Sequence, residues 1–223
     1  VMATCEFLRK EGYDLTIIPV DSEGLVHPDD VDKAIRPDTV IVSIMMANNE
    51  IGTIQPIKEI AQVCRKHGVL FHTDAVQAAG NIPIDVKDLG VDLLSVSGHK
   101  FYGPKGTGVL YIRKGVRIEN FIHGGHQERN RRAGTENVPG IVGLAKALEL
   151  AVENMDAHTR KLTSLRDRAL KGITERIPYV RVNGSLERRL PGNLNVSFRF
   201  VEGESVLLML DMKGIKASSG SAC

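Results

Sequence analysis

Over roughly the first 135 residues the chain alternates short, almost continuous apolar runs with stretches whose apolar residues recur at helical spacing, and this alternation admits few folds. Residues 39–47, "TVIVSIMMA", are β-branched at the start and apolar nearly throughout, as a strand covered on both faces must be. Pro56 then opens a helix that runs through His67. Its Ile57, Ile60, Ala61 and Cys64 fall on one face, and Gly68 ends it. "VLFHTDA" reads as the next strand. After "PIDVKDLG" comes "VDLLSVS", and beyond a turn rich in Gly and Pro lies "GVLYIRK", whose short connection makes it antiparallel to its predecessor. The expected fold class is α/β, built on a mostly parallel sheet.

From Val138 the period becomes helical for a long stretch. Ile141, Leu144, Ala145, Leu148 and Ala151 form one stripe, and after "ENMD" the segment "RKLTSLRDRALKGI" continues in the same style, as a spine between two domains would. Beyond Pro178 come two short strands ("YVRVNG", "NLNVSF"), a helix opened by "EGES", and the tail "KASSGSAC". That is too little for a complete second domain, so a further C-terminal portion is expected. Because the first residue is Val1, the chain is expected to begin inside a longer one. The layout is a large domain over 1–137, linking helices over 138–177, and part of a small C-terminal domain over 178–223.

Charge excludes some partners. Twenty-nine basic residues against 27 acidic leave +2, with no long block of one sign to grip nucleic acid. "QERNRR" (127–132) is short, includes Glu128, and reads as a solvated loop. No run approaches the ~18 apolar residues of a membrane span, and "VMATCEFLRK" lacks signal-peptide architecture. A soluble protein is expected, in the cytoplasm; a mitochondrial relative would carry its transit peptide ahead of this stretch. Cys5 and Cys64 lie in helix-like runs, as small buried apolar residues do. Cys223 stands apart, at the end of a run of small residues that cannot anchor itself in a core.

In open α/β sheets ligands bind outside the carboxyl ends of the strands. Three strands here end in polar residues: Asn48 and Asn49; Asp74 and Gln77; Ser97, His99 and Lys100. A lysine amine forms a Schiff base with the aldehyde of pyridoxal 5'-phosphate, and a carboxylate on the pyridinium nitrogen keeps the ring an electron acceptor. Asp74 and Lys100 suit those roles, and Ser97 and His99 could hold the phosphate. An Asp and a Lys on neighbouring strands are equally explained by a surface salt bridge. The glycines of "GHKFYGPKGTG" sharpen the signal by letting the backbone turn tightly beside a cofactor, in an order that does not match a nucleotide P-loop. His72 with Asp74, and the "HGGH" imidazoles His123 and His126, lack a further carboxylate or cysteine at ligand spacing, so no metal is expected. His27, His67 and His158 read as surface histidines.

The segments "NNEIGTIQP", "HTDAVQAAG", "SGHKFYGPKGTGVLYIRKG", "GGHQERNRRAGTENVPGIVG", "NLNVSF", "EGES" and "SSGSAC" occur in an order and spacing that resembles the cysteine desulfurases of iron-sulfur cluster assembly and nitrogen fixation. These are fold-type-I pyridoxal-phosphate enzymes of the class V aminotransferase group, with a mostly parallel large domain and a smaller α+β domain. The resemblance covers nearly the whole chain. It implies that Lys100 is the Schiff-base lysine, Asp74 the pyridinium partner, and Gln77 a ligand of the ring's phenolic oxygen. Asn49 would sit near that oxygen and the substrate carboxylate, and Ser97 and His99 would bind phosphate. Thr135 would reach the phosphate of the other subunit, which makes the protein a homodimer. Cys223 would be the nucleophile that takes sulfur from L-cysteine as a persulfide, releasing L-alanine, and would pass it to an iron-sulfur scaffold protein or to tRNA thiolation.

The resemblance also implies parts outside this stretch: a Gly-Ala-Thr phosphate segment and a ring-stacking histidine before Val1, and a carboxylate-binding arginine after Cys223. A polypeptide ending at Cys223 is therefore expected to bind cofactor weakly or not at all. Asn130 stands where relatives often have glycine. Two other readings are a selenocysteine lyase-like activity on the same framework and a non-catalytic protein that binds a sulfur-transfer partner.

Overall fold

A computed structural model describes residues 1–218, so the expectation for Cys223 lies outside the described residues. Its main sheet has strands β1 (Ile41–Met45), β2 (Leu70–Asp74), β3 (Leu93–Ser97) and β4 (Gly108–Ile112) in that spatial order. The first three are parallel, and β4 returns antiparallel with Ser95 opposite Leu110 and Ser97 opposite Gly108. Parallel neighbours need crossovers. Helix α3 (Ile57–His67) supplies the first and the single turn α4 (Val86–Leu89) the second. They follow α1 (Met2–Lys10) and α2 (Pro28–Ala34).

The core lies on the α3 side of the sheet. Ile57, Ile60, Ala61 and Cys64 are the buried residues of α3, and Gly68 closes it in the left-handed region at φ 69°. They pack with Val31, Phe71, Ala75, Val91 and Leu94, which joins α2, α3 and the centre of the sheet in one cluster. Alternation along β2 sends Phe71 and Thr73 into that core, while His72 and Asp74 point to the opposite face.

Beyond β4 the chain passes through the turn α5 (Gln127–Asn130) to α6 (Val138–Glu153), then α7 (Met155–Arg176) after a break at Asn154. The α6 stripe differs from the expected one. Gly140, Leu144, Ala147, Leu148 and Ala151 face inward, whereas Ile141 and Ala145 are exposed. Small residues turn inward because α6 lies almost against backbone: a Cβ on Gly103 would be 3.4 Å from that of Ala147. Helix α7 buries no residue of its own, and neither does α1, so Cys5 is only half-buried rather than a core residue. The "QERNRR" segment is exposed as expected, apart from half-buried Gln127. Glu128, Arg129 and Asn130 all have positive φ, and at Asn130 (64°) this is a conformation that glycine or asparagine tolerates best.

A two-stranded antiparallel ribbon, β5 (Val180–Val182) with β6 (Val196–Phe198), leads to α8 (Gly203–Met212). The "EGES" start behaves as a cap: the Glu202 carboxylate accepts from the backbone N–H groups of Glu204 and Ser205. Among the described residues no helix is long and apolar enough to cross a membrane.

Candidate active site

Three parallel strands end at one edge of the sheet, which gathers polar residues that are distant in sequence. Met45, Asp74 and Ser95 are lateral partners, so Asp74 sits at the tip of β2, and Ser97 projects two residues further along β3. The chain then tightens into a 3-10 turn, Gly98–Phe101, which carries His99 and Lys100. The turn is held from behind. Phe101 is buried with Ala79 and Leu144, and Gly103 donates its N–H to the Gly98 carbonyl at 2.9 Å. A Cβ on Gly98 would come within 2.7 Å of Thr107 Oγ1, and one on Gly103 within 2.9 Å of the Gly98 carbonyl oxygen. No larger residue fits at either position without displacing its neighbour.

The Asp74 carboxylate is half-buried, and its Oδ1 accepts from the backbone N–H of Val76 at 3.0 Å. Ser97 Oγ lies 2.9 Å from His99 Nδ1. Lys100 is half-buried and enters none of the ion pairs among the described residues, so a salt bridge does not explain its place. Gln77 is half-buried in the turn after β2, and its carbonyl accepts from the Asn81 amide. Asn49 is exposed in the turn after β1. There Asn48 Oδ1 accepts from the N–H groups of Glu50 and Ile51 at 2.8 and 2.9 Å. Thr135 stands apart, exposed in the segment before α6.

This donor set has the chemistry that pyridoxal 5'-phosphate requires. It offers a carboxylate for a ring nitrogen, an amine without a carboxylate partner among the described residues for an aldehyde, and a hydroxyl and an imidazole for a phosphate. The glycine-lined turn leaves the amine's backbone free of side-chain bulk. A metal fits less well, because both nitrogens of His72 are engaged. Its Nδ1 lies 2.8 Å from Ser43 Oγ and its Nε2 2.9 Å from Ser95 Oγ. That row spans β1, β2 and β3, and its sequence signal is the period-2 pattern that places Ser43, His72 and Ser95 on one sheet face. Burial lowers the His72 pKa from its ordinary value, with Asp74 pulling it back up.

Residues 1–223 match the family model described as aminotransferase class-V. Similar curated proteins include the "Cysteine desulfurase IscS" of Dictyoglomus turgidum, 56% identical over 223 residues, and that of Methanosarcina thermophila, 58% identical over 223 residues. Each alignment covers all of this chain but 57% and 55% of the relative, so the chain spans a little over half the length of these proteins. Among solved structures, a "NifS-like protein" superposes with a TM-score of 0.92 at 43% identity, covering 99% of this chain and 60% of the other. DndA from Streptomyces lividans superposes at 0.85 and 35% identity, covering 95% and 60%.

Proposed function

Since the chain belongs to the class-V aminotransferase family, we propose that it carries the catalytic chemistry of a cysteine desulfurase, taking sulfur from L-cysteine and releasing L-alanine. The observation that supports this most directly is the strand-end cluster: Asp74 on β2, with Ser97, His99 and Lys100, which has no ion-pair partner among the described residues, on β3 and the following turn. The names of the similar proteins point the same way.

Pyridoxal 5'-phosphate, when bound, supplies an aldehyde that captures amines and a ring that accepts an electron pair from the substrate α-carbon. Asp74 would hold the proton on the ring nitrogen, Gln77 and Asn49 would orient the phenolic oxygen and the substrate carboxylate, and Ser97 and His99 would donate to the phosphate. Lys100 would hold the group through its amine, and the same amine, when free, would take up and return the α-proton. Cys223 acts as a thiolate. It attacks the substrate sulfur; the carbon–sulfur bond breaks, its electron pair stays with carbon and is protonated there, and the sulfur remains on Cys223 as a persulfide. Thr135 would serve the phosphate site of a second copy, which makes the working unit a homodimer. The acceptor of the persulfide would be an iron-sulfur scaffold protein or a tRNA-thiolation carrier, in the cytoplasm. In this reading 1–137 forms the cofactor domain, 138–177 the linking helices, and 178–223 part of the small domain.

The test is turnover of L-cysteine by the natural full-length protein, with alanine and protein-bound persulfide measured together. Cys223→Ala should retain the cofactor's yellow absorption and lose alanine formation. Unchanged turnover in that variant would defeat the assignment.

A further inference from the structure

The turn that carries Asn49 is fastened from the far end of the chain. Ile54 donates its N–H to the Arg188 carbonyl at 2.8 Å, and Leu190 donates to that of Gly52 at 2.9 Å. The N–H of Ser185 donates to Thr53 Oγ1 at 3.1 Å. Asn193 Nδ2 donates to the Glu50 carbonyl at 2.8 Å, directly beside Asn49, and Asn195 Nδ2 reaches the same oxygen at 3.2 Å. The two loops approach as closely as backbone allows. A Cβ on Gly52 would stand 2.5 Å from Asn193 Cγ, and one on Gly184 2.4 Å from the Ile51 carbonyl oxygen.

Arg189 organises this junction. It is 6% exposed. Its Nε donates to the Ser185 carbonyl at 2.8 Å, its Nη1 to Asn193 Oδ1 at 2.9 Å, and its Nη2 to the Asn183 carbonyl. All three acceptors are neutral, and among the described residues no carboxylate forms an ion pair with it. Burying a cation without a counter-charge is costly, and an apolar residue would fill the space at less expense. The planar fork does what a point charge cannot: it fixes the directions of the 183–193 backbone and the Asn193 amide at once. Burial, together with the field of Arg166, lowers its pKa, opposed by Glu23.

We propose that Arg189, acting through Asn193, is a positioning residue that sets the 48–53 turn and therefore Asn49, making the substrate side of the site depend on how the segment around β5 and β6 is docked. This rests on the desulfurase reading for Asn49's role, but the mechanical link stands on the contacts alone. In sequence order the same C-terminal segment leads to Cys223, so one junction would report to the cofactor side whether the cysteine-bearing portion is in place.

The experiment uses the full-length protein with cofactor, comparing wild type with Arg189→Met, Arg189→Lys and the milder Asn193→Ala. Amide hydrogen exchange is read at Gly52, Ile54 and Leu190 against Ile60 in α3, and KM and kcat for L-cysteine are measured in parallel. The expected result is exchange faster by about tenfold at the three junction amides, the order that loss of a charge-assisted hydrogen bond gives, with Ile60 unchanged. KM should rise more than kcat falls, and lysine should not restore the wild-type pattern. Unchanged protection of the junction would overturn the proposal. So would equal loosening at Ile60, which would mark Arg189 as a general stabiliser, or a loosened turn with unaltered KM. If the wild type makes no alanine from cysteine, the desulfurase reading falls, and the exchange contrast alone decides the link between Arg189 and the turn.

Discussion

Phe101 follows Lys100 directly and offers the clearest quantitative test of how the lysine turn is held. It is 3% exposed and packs with Ala79 and Leu144, while a Cβ on Gly80 would approach its own Cβ to 3.0 Å. It thus ties the turn to α6 and to the end of the segment that carries Gln77. A buried phenyl removes about 150–250 Å² from water, and at about 25 cal/mol/Å² that contributes roughly 4–6 kcal/mol. Residual compaction of the unfolded chain trims this to about 3–5 kcal/mol, the range seen when buried phenylalanines are cut to alanine. Phe101→Ala should therefore lower the unfolding free energy of the full-length protein by that amount, read by circular dichroism as a lower urea midpoint at unchanged slope. Phe121→Ala, at a site 95% exposed, should cost less than about 0.5 kcal/mol. If Phe101→Ala cost no more than Phe121→Ala, the view that α6 holds the lysine turn through Phe101 would be wrong.

Other outcomes follow from single groups. His72 has its folded pKa depressed by burial, so the unfolded chain binds more protons as pH falls below about 6.5. Stability should be fully present above that pH and decline through the window beneath it, and His72→Asn should flatten the decline in denaturation midpoints between pH 7 and 5. Cys64, 1% exposed, has its thiol pushed up to about 11, first by burial and then by the charge of Asp92. Native protein treated with iodoacetamide at pH 8 should be alkylated at Cys5 and spared at Cys64, as read by peptide mass; labelling at Cys64 before unfolding would contradict its burial. Gly172 lies inside α7, and apart from its chain neighbours and the helix's own backbone nothing comes within 4 Å of where its Cβ would stand. Gly172→Ala should raise stability by about 0.5–1 kcal/mol, the ordinary helical penalty of glycine, and a loss in thermal midpoint would count against the helix there.

The parts of this molecule governed by local periodicity are legible in its sequence. The α3 face of Ile57, Ile60, Ala61 and Cys64, its Gly68 stop, and the antiparallel return of β4 all follow from spacing and loop length. The strand-end residues Asp74, Ser97, His99 and Lys100 are legible for a related reason, since parallel strands bring their carboxyl ends to one edge whatever fills the core. The face of α6 is harder to read. Ile141 is more apolar than Ala147, but the helix meets a turn of glycines, so closeness of backbones selects the small residues. Arg189 carries no sequence signal at all. Its partners are carbonyl groups, which every residue has, and its effect on the 48–53 turn depends on contacts between segments more than 130 residues apart.

The central claim is that Lys100 holds the cofactor. Borohydride reduction of the natural full-length protein, followed by peptide mapping, tests it most directly, because reduction makes a lysine–pyridoxal linkage permanent. A pyridoxyl group on the peptide containing Lys100, and on neither Lys105 nor Lys114, is the expected result. A full-length protein with the group on another lysine, or with none, would contradict the account.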